Sequence, residues 1–257
     1  MKRVLLGMSG GVDSSVTAVL LQRQGYEVLG ATMLLNEEQQ GLDDARYVCQ
    51  KLGIEYYIID GKKEFKKYVI NNFNNEYIEA KTPNPCVECN KHIKFDLFYK
   101  KAKELNCDYI ATGHYAKCEY SEKYNQYVLK VAEAEKKDQS YFLYGISKKV
   151  LEHVIFPLGN YKSKDEIREL AKKMELPVAS KSDSQEICFI QDNNYAKYVC
   201  KKCNICPKSG NIVIYNDGKK EIIGKHNGLI NYTIGQRKGL GISYKEPLYV
   251  IKLDIDK

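Results

Sequence analysis

The chain has 257 residues, 44% of them hydrophobic, which is enough for one large domain with a smaller appendage and excludes a disordered polymer. Its net charge of +7 is uneven, with a mildly acidic first 60 residues and a positive excess downstream that suits a polyanionic partner such as nucleic acid. No apolar run approaches the roughly 18–20 residues that span a bilayer, and nine cysteines with no secretory signal argue against a disulfide framework, so a soluble cytoplasmic protein is expected.

Residues 2–7, KRVLLG, read as a short buried strand, and SSVTAVLLQRQG follows as a helix closed by Gly25. YEVLGATM (26–33) is a second strand. DDARYVCQKLG (43–53) is a helix opened by Asp43 or Asp44 and closed by Gly53. IEYYIID (54–60) is a third strand, and DYIATG (108–113) a fourth, after helices around 62–80 and 91–106. This alternation implies an α/β fold with a doubly wound parallel sheet, whose ligands sit at the carboxyl ends of the strands. GMSGG and ATGH fall at those ends. Residues 118–133 then alternate as a hairpin, and SKDEIRELAKKM is a helix with capping-box spacing from Ser163 to Glu166. From about 208 onward, NIVIYNDGKKEIIG and EPLYVIKL read as short strands around Gly and Asp turns. The expected division is a catalytic domain over 1–205 and a small β-rich domain over 206–257.

SGGVDS, residues 9–14, joins the first strand to the first helix. Two glycines let successive N–H groups turn inward as an anion nest at a helix N-terminus, and Ser9, Ser14 and Ser15 add hydroxyls. No Lys-Ser/Thr pair follows, so this is not the Walker-type loop. A plain glycine turn with a serine cap is the bland alternative. The stretch TPNPCVECNKHIKF (82–95) sets Pro83 and Pro85 before Cys86-x-x-Cys89, a structural clip, a metal site or a place for sulfur chemistry. Cys200, Cys203 and Cys206, followed by Pro207, have the C-x2-C-x2-C rhythm of a metal segment and are a second candidate site, or structural cysteines.

SGGVDS resembles the PP-loop of ATP pyrophosphatases, which cleave ATP to AMP and pyrophosphate while adenylating a substrate. TPNPCVECNKHIKFD, ATGHYAK, KDQSYFLYGI, KSDSQEICFIQ and HNGLINYTIGQRKGLGI follow in that order. With these five motifs the chain is similar, from residue 1 to about 251, to the tRNA-specific 2-thiouridylase (MnmA) family. The resemblance implies that Gly7, Met8, Ser9, Gly10, Gly11, Val12, Asp13 and Ser14 hold ATP, with Met33 and Gly113 touching the nucleotide and Asp13 in a Mg2+-linked catalytic role. It implies tRNA contacts at Asn84, Pro85, Cys86, His114, Lys137, Asp138, Gln139, Gln236 and Arg237. Cys89 would attack or assist, and Cys188 would carry sulfur as a persulfide. Lys91 and His92 are the nearby positive groups that would lower a thiol pKa from roughly 8.5.

Cys86 stands where the family pattern has aspartate. Cys86, Cys89 and Cys188 then form a trio of thiols that suits a [4Fe-4S] cluster with one open iron, able to bind a hydrosulfide. A zinc site is the structural alternative, and a protein persulfide without metal is the mechanistic one. The sulfur donor would be a cysteine desulfurase relay or inorganic sulfide. The family pattern continues into a further β-barrel beyond IKLDIDK, so a truncated chain, a homodimer or partner chain supplying the barrel, or a shorter working form is expected. Competing readings are another PP-loop tRNA or small-molecule sulfurtransferase, and a non-catalytic metal-bearing RNA-binding protein.

Overall fold

The computed structural model describes residues 1–37, 41–181, 187–190, 192, 194–216 and 218–255. The chain divides into two units, Met1–Val69 with Cys86–Gln185, and Ile70–Pro85 with Glu186–Lys257. In chain order come β1 (Arg3–Gly7), α1 (Val12–Arg23), β2 (Glu27–Leu34), α2 (Leu42–Lys51) and β3 (Glu55–Asp60). They are followed by α3 (Lys62–Phe65), α4 (Asn71–Ile78), α5 (Pro85–Cys89), α6 (Phe98–Glu104) and β4 (Tyr109–Ala111). Then come β5 (Lys117–Ser121), β6 (Gln126–Lys130), α7 (Lys148–Leu151), β7 (Val154–Ile155), α8 (Lys164–Lys173), α9 (Tyr195–Cys203), β8 (Gly210–Asn216) and β9 (Lys219–His226). Lys66–Ile70 and Asn90–Leu97 are π-helical.

The first unit is built on a five-stranded sheet in the order β3-β2-β1-β4-β7, every neighbouring pair parallel. Strand β1 lies at the centre, so Val4, Leu5 and Leu6 are all fully buried and the strand reads as an unbroken apolar run. Successive side chains point to opposite faces. Val4 and Leu6 join Val16, Leu21 and Val48 on one face, and Leu5 joins Phe95, Phe98 and Ile110 on the other. The expected doubly wound sheet is thus present, with the order reversing at β1, where β2 lies on one side and β4 on the other. That reversal opens a crevice at the carboxyl ends of the strands.

Local differences from the sequence reading have physical causes. Helix α1 begins at Val12, so the phosphate-loop residues Asp13 and Ser14 are already helical. The N-cap of α2 is Gly41, in the left-handed region at φ 86°, and not an aspartate. Asp44 instead turns to Lys181 Nζ at 2.6 Å. Strand β4 keeps only three residues, and β7, too short to leave a periodic signal, completes the sheet beside it. The hairpin is β5 paired antiparallel with β6. The N-cap holds at Ser163, whose hydroxyl accepts from Glu166 N at 3.3 Å, while the Glu166 carboxylate accepts from Lys162 N at 3.1 Å, one residue before the partner a capping box would use.

In the second unit α4 packs on α9. Phe73 is fully buried and meets the rings of Tyr77, Phe189 and Tyr198, with Val199, Ile190 and Ile230 completing the cluster. Strands β8 and β9 pair antiparallel from Gly210↔His226 to Asn216↔Lys219. EPLYVIKL (246–253), expected as a strand, has no regular structure. Its link to the rest is a backbone pair, Gly235 N to Val250 O at 2.7 Å and Val250 N to Gln236 O at 3.0 Å, too little for a ladder.

Candidate active site

The loop after β1 is tied by its own hydroxyls. Ser9 N donates to Ser14 Oγ (3.2 Å), Gly11 N to Ser9 Oγ (3.3 Å), and Ser14 Oγ and Ser15 Oγ both donate to Gly11 O (3.2 and 2.8 Å). These bonds fix the turn at the head of α1, where the helix dipole favours an anion. Gly10 sits at φ 70°, and a Cβ there would lie 2.3 Å from Gly41 O. Gly113 is required for a different reason: a Cβ would come within 2.9 Å of Ser14 N and 3.0 Å of Asp13 C. The end of β4 therefore presses directly on the start of α1. Asp13 is held from both sides, its Oδ1 accepting from Tyr115 OH at 2.9 Å and its Oδ2 pairing with Lys164 Nζ at 2.5 Å.

A cavity of ≈ 290 Å³ opens where the sheet order reverses, near the lower bound for small-molecule sites. Of the residues expected to hold ATP, Gly7, Met8, Ser9, Asp13, Ser14, Met33 and Gly113 line it, and Gly10, Gly11 and Val12 do not. His114 and Gln139, expected at the RNA, line it too. The sequence reading did not single out Lys94, Thr32 or Thr112, which also border the cavity. Lys94 is the only cation, and Asp13 the only carboxylate, among the described lining residues. Thr32 Oγ1 donates to Met8 O at 2.5 Å and accepts from Tyr56 OH at 2.7 Å, which braces β2 against the loop. His114 Nδ1 lies 2.7 Å from Thr112 Oγ1. Burial, and then the charge of Lys94, hold this imidazole well below its ordinary value of 6.5, so it is neutral at physiological pH.

Cys86 and Cys89 are the second and last residues of the short helix α5, Cys86 exposed and Cys89 buried. Of the two expected cations, Lys91 lays its methylenes beside Gly145, and His92 pairs with Glu88 at 3.3 Å while stacking on Tyr68. Cys188 is exposed in the second unit, and residues 182–186 and 191 of its motif lie outside the described residues. Cys49 and Cys118 are pushed up to about 11, chiefly by burial, which leaves them inert. Cys200 is raised by burial and by Cys206 and Cys203, while it and Cys203 pack against the Phe73 cluster. Among the described residues no three of His, Cys, Asp or Glu are grouped to hold a metal ion. The donor sets expected for iron–sulfur or zinc therefore find no support among these residues.

The residues expected at RNA fall in two groups. In the first unit Lys137 is exposed, whereas Asp138 accepts from Ala132 N (2.8 Å), Ser140 N (3.3 Å) and Ser140 Oγ (2.6 Å). Gln139 Oε1 accepts from Tyr115 N at 3.0 Å. In the second unit Asn84 and Pro85 precede the cysteine pair and are half-buried. Gln236 spends its amide on Thr233 N (2.9 Å) and Lys238 O (2.9 Å), and Arg237 is exposed beside it.

The sequence profile described as the tRNA methyl transferase HUP domain matches residues 2–192, and that described as the tRNA methyl transferase PRC-barrel domain matches residues 196–257. The tRNA-specific 2-thiouridylase MnmA of Clostridioides difficile (strain 630) is 50% identical over 98% of this chain and 72% of its own length. The chain belongs to the tRNA-specific 2-thiouridylase family. The 2-thiouridylase of Acetivibrio thermocellus is 46% identical over 99% of this chain and 74% of its own length. Among solved structures, a 4-thiouridine synthetase in complex with RNA and bound ATP superposes with a TM-score of 0.50 at 14% identity. That match covers 78% of this chain and 50% of the synthetase, a likeness of fold alone. No helix among the described residues is long and apolar enough to cross a membrane.

Proposed function

We propose that this chain is a tRNA-uridine 2-sulfurtransferase that adenylates the 2-carbonyl oxygen of the wobble uridine with ATP and then replaces that oxygen with sulfur in the cytoplasm. The observation that carries the reading is the hydroxyl-tied SGGVDS loop facing a cavity at the reversal point of the sheet, in a member of the 2-thiouridylase family. The profile descriptions speak of methyl transfer. A loop built to cradle phosphates, in a chain that also carries Cys86-x-x-Cys89, favours adenylation and sulfur transfer.

Carbonyl oxygen is a poor leaving group, so it must first be made part of AMP. The uridine oxygen attacks the α-phosphorus of ATP and pyrophosphate leaves. Ser9, Ser14 and the N–H groups at the head of α1 hold the phosphates. Asp13, pinned by Tyr115 and Lys164, orients that helix turn, and it is the carboxylate nearest in the lining to any Mg2+ that arrives on the nucleotide. Lys94 offsets charge developing on the phosphates. The terminal sulfur of a persulfide on Cys188 then attacks C2 and AMP departs, leaving a C2–S–S–Cys188 adduct. With Cys89 assisting, a thiol supplied with the persulfide donor attacks the Cys188 sulfur, breaks the S–S bond to release 2-thiouridine, and is left in a disulfide that a second thiol reduces. Neutral His114 offers a hydrogen bond without adding charge. Lys137, Gln236 and Arg237 serve the tRNA, together with the turn at Asn84, Pro85 and Cys86, while Asp138 and Gln139 act by holding the loop in shape. The β-rich residues 206–257 contribute to gripping tRNA. Magnesium and the sulfur donor remain parts of this proposal.

The test is incubation with ATP, a persulfide donor and unmodified tRNA, followed by nucleoside analysis and pyrophosphate measurement. The expected result is 2-thiouridine at the wobble position with tRNA-dependent pyrophosphate release. Release that ignores tRNA, or sulfur found on another base, would overturn the assignment.

A further inference from the structure

The stretch that follows Gln139 is built as a stage. Ser140–Leu143 form a 3-10 turn, in which residues three apart are eclipsed. Leu143 points inward and is fully buried, which turns Tyr141 and Tyr144 outward on one side. Their rings lie 6.2 Å apart, and they are 67% and 68% exposed. Two such rings in water are not explained by core packing, since neither joins a buried cluster among the described residues.

The turn is also fixed in place. Asp138 holds Ser140 through its backbone N–H and its hydroxyl, Phe142 N donates to Gln139 O at 2.9 Å, and Asn90 Nδ2 donates to Phe142 O at 2.9 Å. Asn90 follows Cys89 directly, and Gln139 lines the cavity, so the platform is continuous with the site on both sides. Lys136, Lys148 and Lys149, all exposed, flank the tyrosines in sequence.

We propose that Tyr141 and Tyr144 form a stacking platform for unpaired bases of the anticodon loop, with Lys136, Lys148 and Lys149 on the adjoining phosphates. The inference rests on the tRNA reading above and adds residues to it. Single-stranded RNA is bound by this combination, aromatic faces for bases and lysines for the backbone. A uridine must be unstacked to enter a cavity, and a fixed pair of rings on the turn that follows Gln139, a lining residue, gives the displaced neighbours a surface. Because the turn is fixed beforehand, little order has to be imposed on binding.

The experiment is fluorescence anisotropy of the full chain with an anticodon stem-loop and with a fully paired duplex of the same stem, across a salt series. Tyr141→Ala and Tyr144→Ala should each weaken stem-loop binding about tenfold, leave duplex binding within about twofold, and leave the salt slope unchanged. Tyr141→Phe and Tyr144→Phe should bind as the parent does, because the ring face is kept. Lys148→Gln and Lys149→Gln should each lower the salt slope by about 0.7. Stem-loop affinity unchanged in both Ala variants overturns the platform, as does equal loss in the Phe variants. Ala variants that keep RNA affinity but lose self-association in sedimentation assign the face to a second copy and overturn it as well. A parent protein that binds no stem-loop at all refutes the tRNA reading itself, a result distinct from these.

Discussion

Lys164 Nζ lies 2.5 Å from Asp13 Oδ2, a contact across 151 positions of sequence that joins the first turn of α8 to the first turn of α1. The lysine side chain is 9% exposed and the aspartate 31%. Lys164→Met would leave Asp13 without its cation and loosen the loop head. The expected loss is about 2 kcal/mol, below the 3–5 of a fully enclosed pair because Asp13 keeps contact with water. Tyr115 still holds the other oxygen. Denaturant unfolding reads the stability, and tRNA-dependent pyrophosphate release should fall about 100-fold. Asp13→Asn added to Lys164→Met should cost little more, since the two act as a pair.

The glycines of the loop region should separate by what a methyl group meets. Gly10→Ala and Gly113→Ala should abolish ATP binding in isothermal titration, one through its φ of 70° and Gly41 O, the other by wedging against Ser14 N. Gly11→Ala meets only Ser9 Oγ, at 3.3 Å, and should retain measurable affinity. Equal loss in all three would refute the packing argument.

Cysteine variants should divide by step. Cys89→Ser and Cys188→Ser should keep tRNA-dependent pyrophosphate release and lose 2-thiouridine, because adenylation precedes sulfur transfer. Cys86 is exposed, so Cys86→Asp should fold normally and keep much of its rate with a persulfide donor. An inactive Cys86→Asp protein that still binds ATP, and that has lost iron present in the parent, would reinstate the three-thiol cluster.

The neutral His114 sets an acid limit. Its folded pKa is lowered by burial and by Lys94, so below the ordinary 6.5 the unfolded chain takes up a proton that the folded chain refuses. Stability therefore rises with pH through that window and is lost as pH falls through it. His114→Gln should flatten the dependence of the urea midpoint on pH between 5 and 6.5. Lys94→Gln should flatten it in part, by removing the second cause. A midpoint with unchanged pH dependence in His114→Gln would show that the slope originates elsewhere.

Much of this was readable from residues. The continuous apolar run of β1, the glycines and serines after it, and the 3.6-residue spacing of the helices each report a local rule that the fold obeys. What was not readable is what depends on distant partners. Nothing near Asp13 announces Lys164 or Tyr115, and nothing near Cys89 announces that Lys94, five residues on, borders the cavity. β7 has two residues, and EPLYVIKL has a strand's pattern but, among the described residues, only Gly235 and Gln236 as backbone partners. Both show tertiary context overruling propensity. The aspartate expected to cap α2 was drawn away by Lys181.

Asn90–Leu97 is π-helical between two α-helical segments, so the stretch from Cys89 to Phe98 holds more residues per turn than an ordinary helix would. Each residue of a helix turns its successors by about 100°. Deleting a single codon within 90–93 would let the α-helical ladder close, and because fewer, wider steps then cover nearly the same rotation, Phe98 would nearly keep its phase while Lys94, inside the widened stretch, would turn relative to it. Arithmetic, more than chemistry, then guards the site: the widened stretch decides how Lys94 and Phe98 share one wall of the cavity, and a gap of one residue here should damage that wall more than it damages the fold.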